Sequence, residues 1–223
     1  MGMVNGIRAL NALVSGTMSS AQLTTYLATG SNAGSFGQLL QLRGQSKALA
    51  ASSTAMTAVA ASSTAFAAVM ANSTAWATVV ASSTAMTAVV ASSTAKMAIF
   101  NSDTALNSIS ASSTAMTAMR AAAQYSVVSW TENSNTPVTL TLTGTSHIVL
   151  GASRSTASAA RTNTLTTLRS GSTISATTAL TSTTASTTAT DFNCAIPIVS
   201  TRSVVLSGTG NGTGYLGILR CDV

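Results

Sequence analysis

Seven consecutive ten-residue units occupy residues 51–120, and this repeat limits the possible folds of the chain more than any other feature. The first three units read ASSTAMTAVA, ASSTAFAAVM and ANSTAWATVV. Position four is always Thr and position five always Ala, while positions six and nine carry larger apolar side chains with one exception. Self-similarity at a fixed period is typical of repeat architectures, in which copies of one structural unit stack on their neighbours.

The apolar positions of each unit have the spacing of one helix face. Positions six, nine and ten stand at i, i+3 and i+4, which places their side chains on the same side of an α-helix. Position three is Ser in six units and Asp103 in the seventh, and both residue types accept hydrogen bonds from the free amides at a helix start. We therefore predict a helix N-cap at position three. Lys96 interrupts the apolar pattern at position six, and Met97 is predicted to take its place.

A ten-residue period does not fit a straight helix. Ten residues at about 100° each fall about 80° short of three full turns, so the apolar face would rotate away from any fixed surface. One solution is a series of short capped helices stacked as a solenoid, and another is one helix of about 105 Å in a left-handed trimeric supercoil. Because Ser and Thr favour helix starts over helix interiors, we favour the segmented solution. A β-solenoid fits less well because Ala- and Met-rich units favour helix.

Large apolar side chains are scarce in this sequence. Hydrophobic residues make up 46% of the chain but aromatic residues only 4%, and each of the many Ala residues buries about one methyl group. Because ordering a residue costs about 1.5 kcal/mol, we predict that identical chains supply the missing buried area in a homotrimer. The residues assigned to this oligomerisation site are Met56, Val59, Phe66, Val69, Trp76, Val79, Met86 and Val89.

The sequences on the two sides of the repeat differ from it and from each other. Residues 1–50 contain short helical patterns that end at Gly, and we predict a helical anchoring module there. Residues 51–124 are the predicted helical stalk. Residues 125–223 change to Thr- and Val-rich alternation between Gly, Asn and Pro, where about seven short strands predict an antiparallel, jelly-roll-like β-sandwich. The predicted fold class is a fibrous, multidomain α + β protein.

Two stretches of the C-terminal region are assigned to connections. The segment 177–191, TTALTSTTASTTATD, is predicted to be an exposed loop or an irregular edge strand because Ser and Thr dominate it. The segment 208–217, GTGNGTGYLG, lacks the Lys-Ser/Thr ending of a phosphate-binding loop and is predicted to be a hairpin turn. The Gly-rich segment is therefore not assigned to nucleotide binding.

Ionisable groups are scarce, which counts against catalysis. The sequence has 4 Asp+Glu and 1 His, and His147 in GTSHIVLG is predicted to be a structural strand residue. Because acid–base chemistry needs such groups in convergent positions, no catalytic residue, metal site or cofactor is assigned, and the protein is predicted not to be an enzyme. Cys194 and Cys221 are predicted to remain reduced thiols because the sequence start has no pattern of a secretion signal.

The basic residues are spread along the chain. Lys+Arg number 10 and give a formal net charge of +6, but they never form the cluster of cations that a phosphate-binding surface requires. Nucleic acid is therefore not expected as a partner. No stretch approaches the about 20 apolar residues of a membrane helix, so membrane insertion is not expected either.

The junction and repeat in residues 37–120, which begin GQLLQLRGQSKALAASSTAMTAVAASSTAF, resemble fibre and appendage proteins of tailed bacteriophages. This resemblance implies a non-enzymatic virion protein, commonly a homotrimer, made in the cytoplasm of a bacterial host. We expect a tail fibre whose residues 1–50 attach to another virion protein of the tail, baseplate, collar or capsid, and whose β domain meets the host surface. The alternative is a capsid head fibre, decoration protein or collar protein without receptor binding.

A carbohydrate-binding module is a hypothesis from a different class. Trp130, Tyr125 and Tyr215 stand in the strand-rich region, and aromatic rings stack on sugar faces. Aromatic residues in strands more often pack in a core. A host-surface glycan is therefore kept as a possible partner, and no glycan-contact residue is assigned.

Overall fold

The structure, a computed structural model, describes residues 2–132, 138–141, 146–154, 164–169, 172–176, 198–200, 203–207 and 212–223. The chain divides into two compact units, residues 1–122 and residues 123–223. The predicted boundary between residues 124 and 125 lies close to this division. The predicted boundary after residue 50 does not separate compact units, because the helices before it pack against helices of the repeat.

The described part of the first unit consists of eleven short helices. They are α1 (Gly2–Val14), α2 (Ser20–Leu27), α3 (Gly30–Leu40), α4 (Arg43–Ala51), α5 (Ser53–Ala61), α6 (Ser63–Ala71), α7 (Ser73–Val80), α8 (Ser83–Ala91), α9 (Ser93–Phe100), α10 (Asp103–Ser110) and α11 (Ser113–Ala121). Helices α5 to α11 correspond one to one to the seven repeat units. The segmented solution is therefore confirmed, and the alternatives of one continuous helix and of a β-solenoid are wrong.

Each repeat helix is capped by position two of its unit. The capping residues are Ser52, Ser62, Asn72, Ser82, Ser92, Ser102 and Ser112, and each side chain accepts a hydrogen bond from the amide three residues later. Their extended backbone, with φ −96° and ψ 110° at Ser52, separates each helix from the one before. The predicted cap at position three was wrong by one residue. Asp103 is instead the first residue of α10, where the helix dipole favours a carboxylate.

Three successive helices make one turn of a stack. Contacts run from α4 to α7 to α10, from α5 to α8 to α11 and from α6 to α9, so each helix lies against the helix three places along. Neighbouring helices meet at sharp bends, of 106° between α5 and α6 and 94° between α7 and α8. Helices α1, α2 and α3 contact α4, α5 and α6 in the same way. The predicted anchoring module is therefore the end turn of the same stack, as terminal units of repeat proteins often are.

Positions five, six and nine fill the interior of the stack in nearly every unit. The seven Ala residues at position five are at most 2% exposed, and their inward position was not predicted. Lys96 is fully buried at position six, whereas Met97 is half-buried. The prediction that Met97 replaces Lys96 was wrong, because the cap of each unit fixes the helix phase and turns position six inward whatever residue it carries.

Helices α1 and α3 approach each other closely at Gly6, which gives a prediction. A Cβ atom at Gly6 would lie 2.5 Å from Leu39 Cδ1 and 3.3 Å from the Ser35 carbonyl oxygen. We expect Gly6→Ala to lower the free energy of unfolding by about 1–3 kcal/mol through overpacking. Urea unfolding followed by circular dichroism measures this change.

Gly34 provides the matched control for Gly6. It lies inside α3, and a Cβ atom there would meet nothing within 4 Å. Gly34→Ala is expected to raise the free energy of unfolding by about 0.5–1 kcal/mol, because Ala loses less backbone entropy than Gly in a helix. Equal effects of the two substitutions would contradict the close approach of α1 and α3.

The second unit contains antiparallel strands in two sheets. The described strands are β1 (Tyr125–Glu132), β2 (Val138–Thr141), β3 (His147–Arg154), β4 (Thr164–Arg169), β5 (Ser172–Ala176), β6 (Ile198–Ser200), β7 (Ser203–Ser207) and β8 (Gly212–Arg220). One sheet has the order β1-β8-β3-β6 and the other β2-β7-β4-β5. The predicted antiparallel pairing is confirmed for these strands. Strand β5 was not predicted because its sequence STISA contains one large apolar residue.

Of the predicted hairpin segment 208–217, residues 212–217 belong to strand β8, and residues 208–211 lie outside the described residues. Strand β7 pairs with β2 and β4, whereas β8 pairs with β1 and β3. The chain therefore passes from one sheet to the other between these two strands. The prediction was wrong because a Gly- and Asn-rich composition indicates a turn but does not determine which strands pair. The predicted loop at 177–191 lies outside the described residues.

Among the described residues, no single helix has the length and hydropathy needed to cross a membrane. Two bent pairs, α5 with α6 and α7 with α8, reach that threshold by length and composition alone when both helices of a pair are taken together.

Candidate assembly site in the repeat

The eight side chains predicted to join separate chains lie inside a single chain. Met56, Val59, Phe66, Val69, Trp76, Val79, Met86 and Val89 are all at most 3% exposed. They belong to α5, α6, α7 and α8, whose buried faces meet in the interior of the stack. The rings of Phe66 and Trp76 meet edge to face, with centroids 5.9 Å apart and planes at 89°, an arrangement that aromatic pairs prefer.

This burial changes the role of the predicted oligomerisation site. A side chain without accessible surface offers no area to a second chain, so contacts through these eight residues would require the stack to open. The buried area that we assigned to sister chains is supplied by neighbouring turns of the same chain. Whether the protein forms a homotrimer is not decided by this burial, and the homotrimer itself stays a prediction.

The capping serines also connect successive turns of the stack. Ser82 Oγ donates a hydrogen bond to the Ala50 carbonyl oxygen at 2.9 Å, and the serines ten and thirty residues later make the equivalent bonds at 2.7 Å. In each case the acceptor lies 32 residues earlier, at the C-terminal end of a helix in the preceding turn. Carbonyl groups at a helix end have no partner within their own helix. The same hydroxyl therefore caps the start of one helix and the end of another.

We call this second bond the inter-turn serine bond, formed by Ser82 to Ala50, Ser92 to Ala60 and Ser112 to Val80. It requires a side chain that both accepts and donates hydrogen bonds, as Ser does and a carboxylate does not. Sequence reasoning missed it, since its acceptor is three units away along the chain. The sequence did contain a signal that position two is the cap. Asn72 replaces Ser at position two of the third unit, and Asn is favoured at N-caps.

The two adjacent serines of one unit allow a direct test of the inter-turn serine bond. We expect Ser82→Ala to lower the free energy of unfolding by about 1–3 kcal/mol, because it removes an N-cap and leaves a carbonyl without its donor. Ser83→Ala is the control, because Ser83 is exposed in the first turn of α8. This substitution is expected to change the free energy of unfolding by no more than about 0.5 kcal/mol. Chemical unfolding of both variants measures the difference, and similar losses would contradict the bond.

The outer surface of the repeat is polar but almost without charge. Positions three, four and seven carry mostly exposed Ser, Thr and Ala side chains. Only Lys96, Asp103 and Arg120 are charged between residues 51 and 120, and Lys96 is buried. The repeat therefore presents hydroxyl and methyl groups rather than ionic groups to a partner.

Outside the repeat, in the first turn of the stack, burial raises the pKa of the Tyr26 phenol.

In the second unit, the structure describes the side chains of two of the residues considered in the sequence analysis, His147 and Tyr125. His147 is buried at the start of β3, where it lies opposite Ser200 and Arg220 in the sheet. The Tyr125 hydroxyl would lie 2.6 Å from a Cβ atom added to Gly217, so this ring packs closely over the neighbouring strand. The side chains of Trp130 and Tyr215 lie outside those that the structure describes. The predicted cluster of three sugar-stacking aromatics is therefore not tested.

His, Cys, Asp and Glu residues are few in the described part of the chain. Within it, no three His, Cys, Asp or Glu side chains are grouped closely enough to hold a metal ion. Cys221 is buried and its thiol lies 3.6 Å from the Leu219 carbonyl oxygen, while Cys194 lies outside the described residues, so the state of the two thiols stays a prediction. No protein-family model matches the sequence, and no curated protein matches it.

Proposed function

We propose that the protein is a structural component of a bacteriophage virion, in which the helical stack is a stalk and the second unit meets the host surface. The observation that carries this proposal is the stack itself, in which seven near-identical helical units continue the pattern of an end turn. Stacks of this kind depend on contacts between neighbouring turns and provide stable structural elements. The resemblance of residues 37–120 to phage appendage proteins supports the assembly context.

The strand pairing supports a jelly roll as the fold of the second unit. Strand β1 pairs with β8, β2 with β7, β3 with β6 and β4 with β5. The chain therefore runs out and back as a double ribbon, and rolling such a ribbon into two facing sheets produces the jelly roll of viral capsid and lectin domains. We propose that the two sheets form a β-sandwich, and that this domain binds a glycan of the host surface without catalysing a reaction.

The stalk in this proposal folds from one chain. Its interior side chains, including Phe66 and Trp76, are already covered by neighbouring turns, so trimer formation is not needed to complete its core. Self-association, where it occurs, would use the neutral outer faces or the second unit. The mass of the full chain in solution, measured by light scattering, distinguishes a monomer from a trimer without affecting the proposal of a virion role.

The virion role is tested on purified particles. We expect antibodies against residues 123–223 to label phage particles from a culture of the bacterium that carries this coding sequence, at a projection that is missing from particles made without the gene. The gene-deletion particles are the control for antibody specificity. Absence of the protein from purified particles, together with its accumulation in the cell lysate, would contradict the proposal.

The position of the label distinguishes the alternatives within the virion class. Label at the tail supports a tail fibre, and we then expect the gene-deletion particles to adsorb poorly to host cells. Label over the capsid with normal adsorption would replace the tail-fibre proposal by that of a head fibre or decoration protein. Binding of the full chain to host-surface glycans tests the proposed contact separately.

A further inference from the structure

The outer edge of strand β1 has no partner among the described strands. β1 lies at one end of the sheet order β1-β8-β3-β6, and the described strand that pairs with it is β8. It has eight residues and pairs with β8 without a break in register. The other described edge strands are shorter, with four residues in β2, five in β5 and three in β6. β1 is therefore the longest edge strand in the described part of the two sheets.

One hydrogen bond shows which backbone groups of β1 face outward. Arg220 N donates to the Gln124 carbonyl oxygen at 3.2 Å, so Gln124 directs its backbone groups toward β8. Successive residues of an antiparallel strand direct these groups to opposite sides. The N–H and C=O groups of Val127 and Ser129 therefore point away from β8, and no described residue bonds to them. We call residues 126–129 the β1 edge.

The side chains of the β1 edge leave it accessible. Sheet edges are commonly protected by charged side chains, proline, bulges or a covering segment. Residues 125–131 read YSVVSWT, without a charged residue or a proline. Val127 is 38% exposed and lies opposite Gly217 of β8, which has no side chain to cover it. Ser126 and Ser129 are exposed as well. The edge thus combines outward backbone groups with uncharged side chains.

These groups specify an extended strand as the partner, because only a strand offers donors and acceptors at the matching spacing. We propose that the β1 edge pairs with the same edge of a second copy of this chain, antiparallel and around a two-fold axis at Val128. Val127 then lies opposite the partner's Ser129. Two four-stranded sheets become one sheet of eight strands.

The charge pattern favours a second copy as the occupant. The chain has a net charge of +6, so most approaches of two copies are repulsive, but the run 125–131 contributes none of that charge. With the axis at Val128 this run pairs with itself over its whole length, and no like charges lie directly opposite each other, where they would be destabilising. The pairing does not depend on the proposed virion role. Its two-fold symmetry gives a dimer, not the homotrimer expected from the sequence.

Mass and hydrogen exchange of the full chain test the pairing together. At submillimolar concentration, light scattering is expected to give twice the chain mass of 22.2 kDa. The amides of Val127 and Ser129 are expected to be protected from exchange in the dimer and to lose this protection on dilution. The amide of Val128 faces β8 and is the internal control, since its protection is expected to stay the same.

Two substitutions at Val127 separate backbone pairing from side-chain contact. Val127→Pro removes an outward N–H, a change that edge strands accept, and we expect it to abolish the dimer while circular dichroism shows the natural fold. Val127→Thr is the matched control, because it keeps both the N–H and a β-branched side chain, and it is expected to remain a dimer.

A pair of charge variants keeps the test valid if proline disturbs β1. Val127 lies diagonal to the partner's Val127 in this register, within reach of long side chains. Val127→Lys and Val127→Glu are each expected to be monomeric, and an equal mixture of the two is expected to regain the dimer mass. The proposal is overturned if the natural chain is a monomer or a trimer, if folded Val127→Pro remains a dimer, or if the mixture does not associate.

Discussion

Replacement of Phe66 by Ala is expected to lower the free energy of unfolding of the helical unit by about 3–5 kcal/mol. Phe66 is fully buried and makes an edge-to-face contact with Trp76 at 5.9 Å. The substitution therefore removes both the apolar area of the ring and an aromatic pair, and leaves a cavity that rigid neighbouring turns fill only in part. Urea unfolding monitored by circular dichroism measures the loss, and the fluorescence of Trp76 reports the changed surroundings.

The same experiment decides whether Phe66 belongs to the core of one chain or to an interface between chains. For an intrachain core, the difference between the unfolding midpoints of the natural chain and of Phe66→Ala stays unchanged when the protein is diluted about a hundredfold, because mass action affects only contacts between associating chains. Phe66→Leu is the matched control and is expected to cost less than about 1.5 kcal/mol, since it keeps most of the apolar volume. A difference between the two midpoints that changes on dilution would contradict the single-chain core.

Deletion of half a repeat unit is expected to be much more damaging than deletion of a whole unit. Removing residues 81–90 joins two units in their normal phase, and its cost is expected to be about 1 kcal/mol, the usual net stability of ten residues. Removing residues 81–85 deletes the cap Ser82 and places Met86 five residues after Trp76 in a continuous helix. Five residues turn a helix by about 500°, so Met86 would point about 140° away from the buried face.

The expected loss for the half-unit deletion is about 4–7 kcal/mol. Met86 and Val89, both buried in the natural chain, would each lose about 1.5–3 kcal/mol of burial, and the missing cap adds about 1 kcal/mol. Thermal unfolding of the two deletion variants and the natural chain provides the comparison. If both deletions reduced stability equally, the phase of the capped units would not control the packing of the stack.

The helices were predictable because their determinants are local. The spacing of Met56, Val59 and Ala60 indicates one helix face within a single unit, and the capping preference of Ser limits where a helix begins. The cap was misplaced by one residue because the two serines at positions two and three, such as Ser82 and Ser83, are equally good caps in isolation. What distinguishes them is the inter-turn bond, which places position two against a carbonyl group 32 residues away, and such a distant partner has no signature in a single unit.

The partner of the apolar face was not predictable from composition. Counting large side chains shows how much area one helix needs to cover, but it does not tell whether a neighbouring chain or a later segment of the same chain covers it. The bends of about 100° between helices decide this, because they return the chain to its own surface after three units. In the second unit, alternation located most strands, while the pairing of β7 and β8 with different neighbours depends on long-range contacts that short, similar strands do not encode locally.

The three-helix turn also limits how far the repeat reaches. As one straight helix, the seventy residues of the repeat would extend about 105 Å. Coiled with three helices in each turn, and with helices about 8–10 Å apart, they rise by only about 20 Å. The repeat is therefore short and thick, not long and thin, and each further set of thirty residues would raise its height by a single helix diameter.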